Sequence, residues 1–285
     1  MILLDLSGTM YSNIMVELLK PDNRGKPVQE DLILHMIYNS IREKAMSFKN
    51  EYGKLVICVD SKSYWRKAIF PHYKFKRKEK RQSDGMDWDA IFKCIDKAVT
   101  YIDAFFPYKS IRVDDAEADD VIAVLTKKLS AAGEKVLIIS RDSDLSQLLK
   151  YPNVKQYSPV DRKFLALHDV DAFLREKIIC GDKSDSIPNI LSDDDAIASE
   201  NKRQKPMTKA RLDEYMTKAV SDYPEEIQKN FERNKKLIDL DEIPKDIQKA
   251  IIEEAARPMK GTKMLLLQHL ADKNMRVLMR DITDF

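Results

Sequence analysis

The chain has few residues of the types that bind soft metals or form disulfides. Its 285 residues include three cysteines and four histidines. Cys58, Cys94 and Cys180 stand far apart, and no pair has the Cys-x-x-Cys spacing that is typical of a zinc site. The sequence therefore argues against zinc and predicts a cytoplasmic protein, in a reducing compartment.

Long apolar runs are also missing. No run approaches the roughly 20 apolar residues that a membrane-spanning helix needs. The N-terminal stretch MILLDLSGT has no basic region before its apolar residues, so it does not predict a secretion signal. The composition is 44% apolar and 34% charged, with a net charge of +2. These values predict a soluble globular protein of one large or two smaller domains, without membrane contact, which we expect to be monomeric.

Three short apolar runs predict the strands of a central sheet. They read MILLD, KLVICVD and EKVLIISRDSD, and each has the character of a strand buried on both faces. Apolar residues at helical spacing predict helices over 29–48, over 88–105 and from 116 onward, and KYPNVKQYSP predicts a short edge strand. This order indicates an α/β fold class, with a mainly parallel central sheet flanked by helices.

Each of the three runs ends in aspartate. The ends are Asp5, Asp60, and Asp142 together with Asp144. A single aspartate after a strand is commonly a turn or capping residue. Three such ends meeting at the carboxyl edge of a parallel sheet, where ligands bind, favour a cation site instead. Carboxylate ligands without histidine or cysteine indicate magnesium or manganese.

The segment VDDAEADDVIAVL, residues 113–125, adds more acids beside an apolar helix. At roughly 100° per residue, Glu117 and Asp119 fall on either shoulder of the apolar stripe, and Asp120 falls on the far side. A solvated, capped helix start would also explain these carboxylates. Together with the strand-end aspartates, Glu117 and Asp119 are better explained as part of the metal site.

A further acidic pair lies in GDKSDSIPNI. Asp182 and Asp185 are three residues apart and could share one face of a helical turn. A glycine-containing turn in which Ser184 or Asp185 caps the next helix explains the pair more simply.

A basic and aromatic segment follows Asp60. Residues 62–81 contain nine Lys or Arg and one acid, Glu79, with five interleaved aromatic residues. Cations for phosphates and aromatic faces for unstacked bases are the combination that binds single-stranded nucleic acid. A solvated charged face is the simpler alternative, but a basic segment beside a metal site favours a phosphodiester substrate.

The second half of the chain predicts helices and little strand. Helices are expected over 169–180, 207–220, 224–236, 245–256 and 262–272, and LSDDDAIASENKRQKP, residues 191–206, predicts a mobile loop. We therefore expect an α/β catalytic domain over 1–180 and a smaller helical subdomain over 181–285.

The chain resembles the 5′ nuclease family of flap endonucleases and 5′→3′ exonucleases, and within it the phage members with ribonuclease H activity. The resemblance rests on EADDVIAVL, LIISRDSDLSQLLKYPNVKQYSP, YWRK with the following YK, and GDKSD. Family members follow the last motif with a glycine-rich turn of the pattern PGVxGIG, which is missing from PNILSDDDAIA. In the family this turn belongs to a helix–turn–helix element that grips the duplex backbone and binds a potassium ion. The resemblance therefore does not extend to these two features.

The resemblance implies roles for named residues. A first metal ion would be surrounded by Asp5, Asp60, Asp119 and Asp142. A second would be held by Asp144, Asp182, Asp185 and Glu117, partly through water. Arg66 and Lys74 match the basic residues that grip the scissile phosphate, and residues 62–95 would form an arch over the active site. Further nucleic-acid contacts are expected from Lys67, Tyr73, Lys76, Arg77, Lys78, Lys80, Arg81 and Lys183.

The implied activity is a 5′→3′ exonuclease and flap endonuclease with ribonuclease H activity. It would use two Mg²⁺ ions, with Mn²⁺ as a possible substitute, on DNA and RNA–DNA hybrid duplexes with 5′ ends or flaps. A role in removing lagging-strand primers would place it beside a single-strand DNA-binding protein and a sliding clamp. Two alternatives remain, a catalytically silent nucleic-acid-binding protein and, from the loop DLSGT, a haloacid-dehalogenase-type phosphatase. The phosphatase would need a second Asp where Ser7 stands.

Overall fold

A six-stranded sheet is the centre of the fold in the computed structural model, which describes residues 1–18, 29–83, 85–199 and 201–285. The strand order is β3-β2-β1-β4-β5-β6. All neighbouring pairs are parallel except β5 and β6. The strands are β1 (Ile2–Asp5), β2 (Leu55–Cys58), β3 (Lys109–Ile111), β4 (Val136–Ile139), β5 (Val154–Ser158) and β6 (Lys163–Leu165).

Twelve α-helices lie in the described part of the chain. In order, they are α1 (Leu6–Leu18), α2 (Glu30–Tyr52), α3 (Trp65–Ile69), α4 (Phe75–Ser83), α5 (Trp88–Phe105), α6 (Ala118–Ala131), α7 (Val170–Cys180), α8 (Lys209–Thr217), α9 (Glu225–Ile238), α10 (Lys245–Ala256), α11 (Lys263–Asp272) and α12 (Arg276–Arg280). None of them is both long and apolar enough to cross a bilayer.

The predicted α/β fold class is confirmed. Strands β1 and β4 are buried along their whole length, as expected for central strands covered on both faces. Ile2 pairs with Leu55 of β2 and with Leu137 of β4, so the three predicted strands are direct neighbours. Their carboxyl ends therefore lie at one edge of the sheet.

The chain divides into two compact units that do not follow the predicted boundary at residue 180. The sheet unit comprises Met1–Lys62, Asp87–Ala166 and Asp246–Phe285, and the second unit comprises Ser63–Met86 and Leu167–Lys245. The prediction assigned residues 246–285 to the helical subdomain because they carry helical periodicity. Burial differs from that expectation: Leu266 and Leu270 of α11 are fully buried, and α11 contacts α5 within the sheet unit.

The second unit has its own apolar core. Phe70 and Tyr73 pack there with Ile179 of α7 and Phe231 of α9. The predicted loop 191–206 is a series of turns, of which Glu200 lies outside the described residues. Two hydrogen bonds join the two ends of this segment: Ser192 Oγ accepts from the Lys205 amide at 2.9 Å, and Asn189 Nδ2 donates to the Lys205 carbonyl at 2.9 Å.

Candidate active site

Asp5 is held by two hydrogen bonds where β1 passes into α1. Its Oδ1 accepts from the Gly8 amide at 3.0 Å, and its Oδ2 accepts from the Ser140 hydroxyl at 2.8 Å. The side chain is buried, with 7% of its surface exposed. The pKa of Asp5 is raised to about 6, mainly by burial; repulsion from Asp60 and Asp142 adds to the rise, and the two hydrogen bonds oppose it. The carboxylate is thus fixed in orientation and harder to ionise than a free aspartate.

Asp60 links the second strand end to the acidic helix. It lies just beyond β2, and its Oδ1 accepts from the amide of Ala118, the first residue of α6, at 2.7 Å. The aspartate therefore satisfies a free N–H at the helix start. This contact brings the predicted strand-end acid to the predicted acidic helix.

The start of α6 is more deeply buried than a simple amphipathic helix would be. Asp120, expected on the far side from the apolar stripe, is fully buried, and its carboxylate accepts from the Glu117 amide at 2.9 Å. Because helix α6 is covered on more than one side, Ala123 and Val124 are buried together with the predicted stripe. Asp120 therefore caps the helix, and its burial on the side away from the apolar stripe was not predicted from the sequence.

Asp119 lies at the centre of the electrostatic cluster. Its side chain keeps some accessible surface but is densely surrounded by protein, and burial raises its pKa well above the usual range. Repulsion from Asp142, Asp5, Glu117 and Asp60 acts in the same direction. Four carboxylates from the three strand ends and from the start of α6 thus lie near enough to Asp119 to raise its pKa, while the role of these acids as metal ligands stays a prediction.

The third strand end is organised by a buried network. The Asp142 amide donates to Ser140 Oγ at 3.1 Å, and Asp142 Oδ1 accepts from the Asp144 amide at 2.9 Å. The fully buried Gln156 donates through Nε2 to the carbonyls of Asp142, at 2.7 Å, and Ser140, at 3.2 Å. Its Oε1 accepts from Ser146 Oγ at 2.9 Å. One amide side chain therefore fixes both residues of the loop that follows β4.

The donor chemistry of this cluster fits a hard divalent cation. All the candidate ligands are carboxylate oxygens. The pKa values of Asp5 and Asp119 are raised by burial first and by neighbouring negative charge second, and a bound cation would offset both effects. Within the described residues, no three acidic, histidine or cysteine side chains already form a ligand group. Several of the carboxylates instead bond to backbone amides, and these bonds hold the acids near one another.

Asp182 and Asp185 lie in the second unit, where protein donors engage both of them. Asp182 Oδ1 accepts from the amide and the hydroxyl of Ser184, each at 2.7 Å, and its Oδ2 lies 3.3 Å from Lys177 Nζ. Burial alone would raise the pKa of Asp182, but the Ser184 hydroxyl and the Lys177 ammonium lower it overall. The turn alternative therefore describes the local structure of this pair, and their role as metal ligands stays a prediction.

Asp185 holds the backbone around Lys74 in place. Its carboxylate accepts from the Tyr73 hydroxyl at 3.0 Å and from the Arg77 guanidinium, while its carbonyl accepts from the Lys74 amide at 2.8 Å. Lys74 has a φ of 58°, in the left-handed region that non-glycine residues rarely adopt. Its Nζ lies 5.0 Å from the Tyr64 ring centroid and 5.2 Å from that of Tyr73. Such a backbone outlier, fixed by its neighbours, points to a functional residue.

Two predicted nucleic-acid residues turn out to be buried. Tyr73 is 4% exposed and Arg66 is 3% exposed. Arg66 Nε donates to the Leu237 carbonyl at 2.8 Å, and its guanidinium lies 4.5 Å from the Trp65 ring centroid. In this conformation Tyr73 supports Asp185 and Arg66 ties α3 to the end of α9, so neither offers a surface to a base or a phosphate.

The other predicted basic residues are presented at the surface. Helix α4 has no buried residue, and cations occupy most of its positions. Lys67 and Lys183 are exposed as well, whereas Phe70 and Tyr73 pack in the core of the second unit. These cations are therefore exposed, and their contact with nucleic acid stays a prediction; Phe70 and Tyr73 do not provide the expected stacking platform. Asp84, within the predicted arch, lies outside the described residues.

Sequence reasoning missed the residues that orient the acids, namely Gly8, Ser140 and Gln156. Gly8 has a visible signal, since it stands three residues after a strand-end aspartate in DLSG. Ser140 precedes the RDSD motif by one residue and could have been suspected. Gln156 gives no local signal, because its partners lie 10 to 16 residues earlier in the sequence.

Two family models match the chain. The 5′-3′ exonuclease N-terminal resolvase-like domain matches residues 1–177, and the T4 RNase H C-terminal model matches residues 168–285. Ribonuclease H of Enterobacteria phage T4 is 37% identical over 193 residues, covering 66% of this chain and 62% of that protein. Flap endonuclease Xni of Shewanella piezotolerans is 29% identical over 158 residues, covering 52% of this chain and 57% of that protein. The chain thus spans about three fifths of the length of these curated relatives.

Solved structures show the same fold. T5 5′-exonuclease with bound zinc ions aligns with a TM-score of 0.62 at 20% identity, covering 90% of this chain and 99% of that one. The T5 D15 flap endonuclease, in a complex with DNA and metal ions, aligns with a TM-score of 0.62 at 19% identity over the same shares. The predicted resemblance is confirmed, and the chain belongs to the 5′-3′ exonuclease family, with a C-terminal region of the T4 ribonuclease H type.

Proposed function

We propose that the chain is a divalent-metal-dependent 5′ nuclease that hydrolyses phosphodiester bonds from the 5′ end of a strand on a DNA duplex. The observation that carries this proposal is the gathering of Asp5, Asp60, Glu117, Asp119 and Asp142 at the carboxyl edge of the sheet. Clustered, buried carboxylates with raised pKa values are a feature of functional sites rather than of stable cores.

Asp5, Asp60, Asp119 and Asp142 would hold the cation, with Glu117 and Asp144 beside them. Oxygen ligands favour Mg²⁺, with Mn²⁺ as a substitute. Bound there, a divalent cation supplies Lewis acidity towards a phosphate oxygen and lowers the pKa of water. A second ion on Asp144, Asp182, Asp185 and Glu117 is the further expectation from the family resemblance.

Other residues of the chain would orient the metal-binding acids and bind the nucleic-acid substrate. Ser140 and the Gly8 amide fix both oxygens of Asp5, so the carboxylate need not reorganise when it takes up charge. Lys74, held by the backbone of Asp185, would contact the scissile phosphate, and the cations of α4 would hold the strand backbone. Because the Arg66 guanidinium is buried, the phosphate contact falls to Lys74.

The substrates would be DNA and RNA–DNA hybrid duplexes with 5′ ends or flaps. The names of the relatives, a ribonuclease H and a flap endonuclease, support both classes. The proposed groups act on phosphate and do not require a 2′-hydroxyl, so RNA and DNA strands can both be cut. Removal of lagging-strand primers, beside a single-strand DNA-binding protein and a sliding clamp, is the replication role that this activity would serve.

The test is cleavage of a 5′-flapped duplex and a nicked RNA–DNA hybrid, each labelled in turn at either end. Short products released from the 5′ end with Mg²⁺, and none with chelator, are expected. Asp119→Asn should abolish cleavage, while Asp115→Asn, which changes an exposed acid of the same segment, should retain it. Tight binding of both duplexes without cleavage would instead identify a catalytically silent binder.

The phosphatase alternative is not supported. Ser7, which stands where a haloacid-dehalogenase-type enzyme needs its second aspartate, lies in the first turn of α1. Asp5 points both oxygens at protein donors rather than presenting one as a nucleophile.

A further inference from the structure

A large cavity lies at the opposite edge of the sheet from the acids. Its volume is about 820 Å³, and it is lined by Met1, Lys54 and Lys109, which stand at the amino ends of β1, β2 and β3. Ligands of the reaction in a parallel sheet bind at the carboxyl ends, so this cavity lies outside the nuclease site. Its volume is within the range of ligand pockets.

The cavity combines an apolar lining with cations. Leu3, Val56, Leu125 and Leu129 contribute to the lining, together with Met259, which is 54% exposed. An apolar surface left open in this way is typical of a binding site. The cations of the lining are Lys49, Lys54, Lys109, Lys128 and Arg257.

Three of these lysines have no acidic partner. Lys109 and Arg257 both pair with Glu254. By contrast, Lys49, Lys54 and Lys128 pair with no acid anywhere in the described part of the chain. They come from α2, the residue before β2, and α6, so their charges are contributed by three separate elements.

One polar group in the lining also lacks a partner. The Tyr108 hydroxyl is buried, and among the described residues it makes no hydrogen bond. A buried hydroxyl without a partner costs free energy that a ligand group could recover. The lining therefore offers apolar contact and distributed positive charge, beside a buried hydroxyl that lacks a partner.

We propose that this cavity docks an acidic segment of a partner protein, whose large apolar side chains fill it while flanking carboxylates meet the three lysines. Distributed cations match several carboxylates along a peptide better than the single headgroup of an amphiphile. A nucleic-acid backbone would use the lysines but would leave the apolar lining uncovered. The apolar lining therefore favours a peptide.

The experiment uses the full chain and the fluorescein-labelled peptide Asp-Leu-Phe-Asp-Glu-Leu-Phe-Asp, followed by fluorescence anisotropy with chelator present. Saturable binding that weakens with added salt is expected. Replacing Leu and Phe by Ser in one control peptide, and the acids by Asn and Gln in another, should each weaken binding by at least about tenfold.

Matched variants locate the site. Ala255→Trp plugs the cavity, whereas Ala256→Trp places the same ring on the next, exposed residue outside the lining. Lys128→Glu reverses a lining charge, whereas Lys93→Glu reverses the charge of an exposed lysine of α5 outside the lining. Ala255→Trp and Lys128→Glu should weaken binding by at least about tenfold and the two controls by no more than about twofold. All four variants should keep wild-type cleavage and thermal unfolding.

Other outcomes would overturn the proposal. No binding to the wild type would do so, as would equal binding of the Ser-substituted peptide or equal binding by Ala255→Trp. Displacement of the peptide by single-stranded DNA or by dodecanoate would assign the cavity to another ligand. Self-association of the wild type that Ala255→Trp abolishes would assign it to a second copy of the chain.

Discussion

The hydroxyl of Ser140 donates a hydrogen bond to Asp5 Oδ2 at 2.8 Å, across the boundary between β4 and β1. The same hydroxyl accepts from the Asp142 amide at 3.1 Å. One small side chain therefore fixes the position of two of the acids proposed to bind the cation. This makes Ser140 a positioning residue, which acts through Asp5 and Asp142 and not on the substrate.

Ser140→Ala should weaken cation binding more than it weakens folding. A hydrogen bond to a charged group contributes roughly 1.5–3 kcal/mol, so the affinity for Mg²⁺ should fall by about tenfold to a hundredfold. Calorimetric titration with Mg²⁺ measures this without any turnover. Ser143→Ala, which changes an exposed serine three residues after Ser140, is the control and should bind as the wild type does. Equal affinities for the two variants would remove Ser140 from the site.

Gly8→Ala should reduce activity without reducing stability. A Cβ at this position would lie 2.6 Å from Asp5 Oδ2, so the carboxylate must move. In the helix itself, alanine is favoured over glycine by about 1 kcal/mol. We therefore expect cleavage to fall by at least about tenfold while the urea midpoint stays the same or rises. Unchanged cleavage would mean that the orientation of Asp5 is not important.

The strand-end acids and the boundary of the second unit differ in how far they can be predicted from the sequence. The strand-end acids can be predicted because strands that are buried on both faces are apolar in sequence, and because the carboxyl ends of neighbouring parallel strands lie at one edge of the sheet. The boundary of the second unit could not be predicted, because α11 and α12 have the same helical spacing of apolar residues whichever core they join. The aromatic residues of 62–81 gave a wrong prediction of base stacking, because Phe70 and Tyr73 pack in the core of the second unit. Their packing partners lie far away in the sequence, so the local pattern does not show this role. For the same reason Gln156, with partners on another segment, had no signal.

Gln156→Met should destabilise the loop after β4. The change keeps the approximate volume but leaves the carbonyls of Ser140 and Asp142 and the Ser146 hydroxyl without their partner. Leaving buried polar groups unpaired costs about 1–3 kcal/mol each, so unfolding free energy should fall by on the order of 3 kcal/mol. Urea unfolding measures the loss, with Lys155→Met on the exposed side of β5 as the control. Hydrogen exchange should also show faster opening of residues 140–146.

In the metal-free protein, Asp5 should contribute less stability as pH rises. Burial raises the pKa of Asp5 from 3.8 to about 6, so the folded state holds a proton that the unfolded state releases. The stabilisation is therefore full below about pH 4 and is lost as pH passes 6, by on the order of 3 kcal/mol. Asp119 contributes in the same direction.

Unfolding by urea with chelator, at about pH 4 and about pH 8, tests this dependence. Asp5→Asn removes the titrating group, so between the lower and the higher pH it should lose less stability, or gain more, than the wild type does. Asp115→Asn, which changes an exposed acid, should keep the wild-type dependence. Added Mg²⁺ should restore stability at the higher pH in the wild type and in Asp115→Asn. An Asp5→Asn variant with the same pH dependence as the wild type would contradict the raised pKa.

Lys74→Gly separates the ammonium group from the backbone conformation that carries it. Lys74 has a φ of 58°, which glycine adopts at no steric cost, and the amide that donates to Asp185 is retained. If the ammonium contacts the scissile phosphate, cleavage should fall by about a hundredfold or more, as expected for loss of a transition-state donor. Stability should stay the same or rise by up to about 1 kcal/mol, because left-handed strain is relieved. A variant that unfolds more easily yet cleaves normally would show that Lys74 serves the fold through its stacking on Tyr64 and Tyr73, and not the reaction.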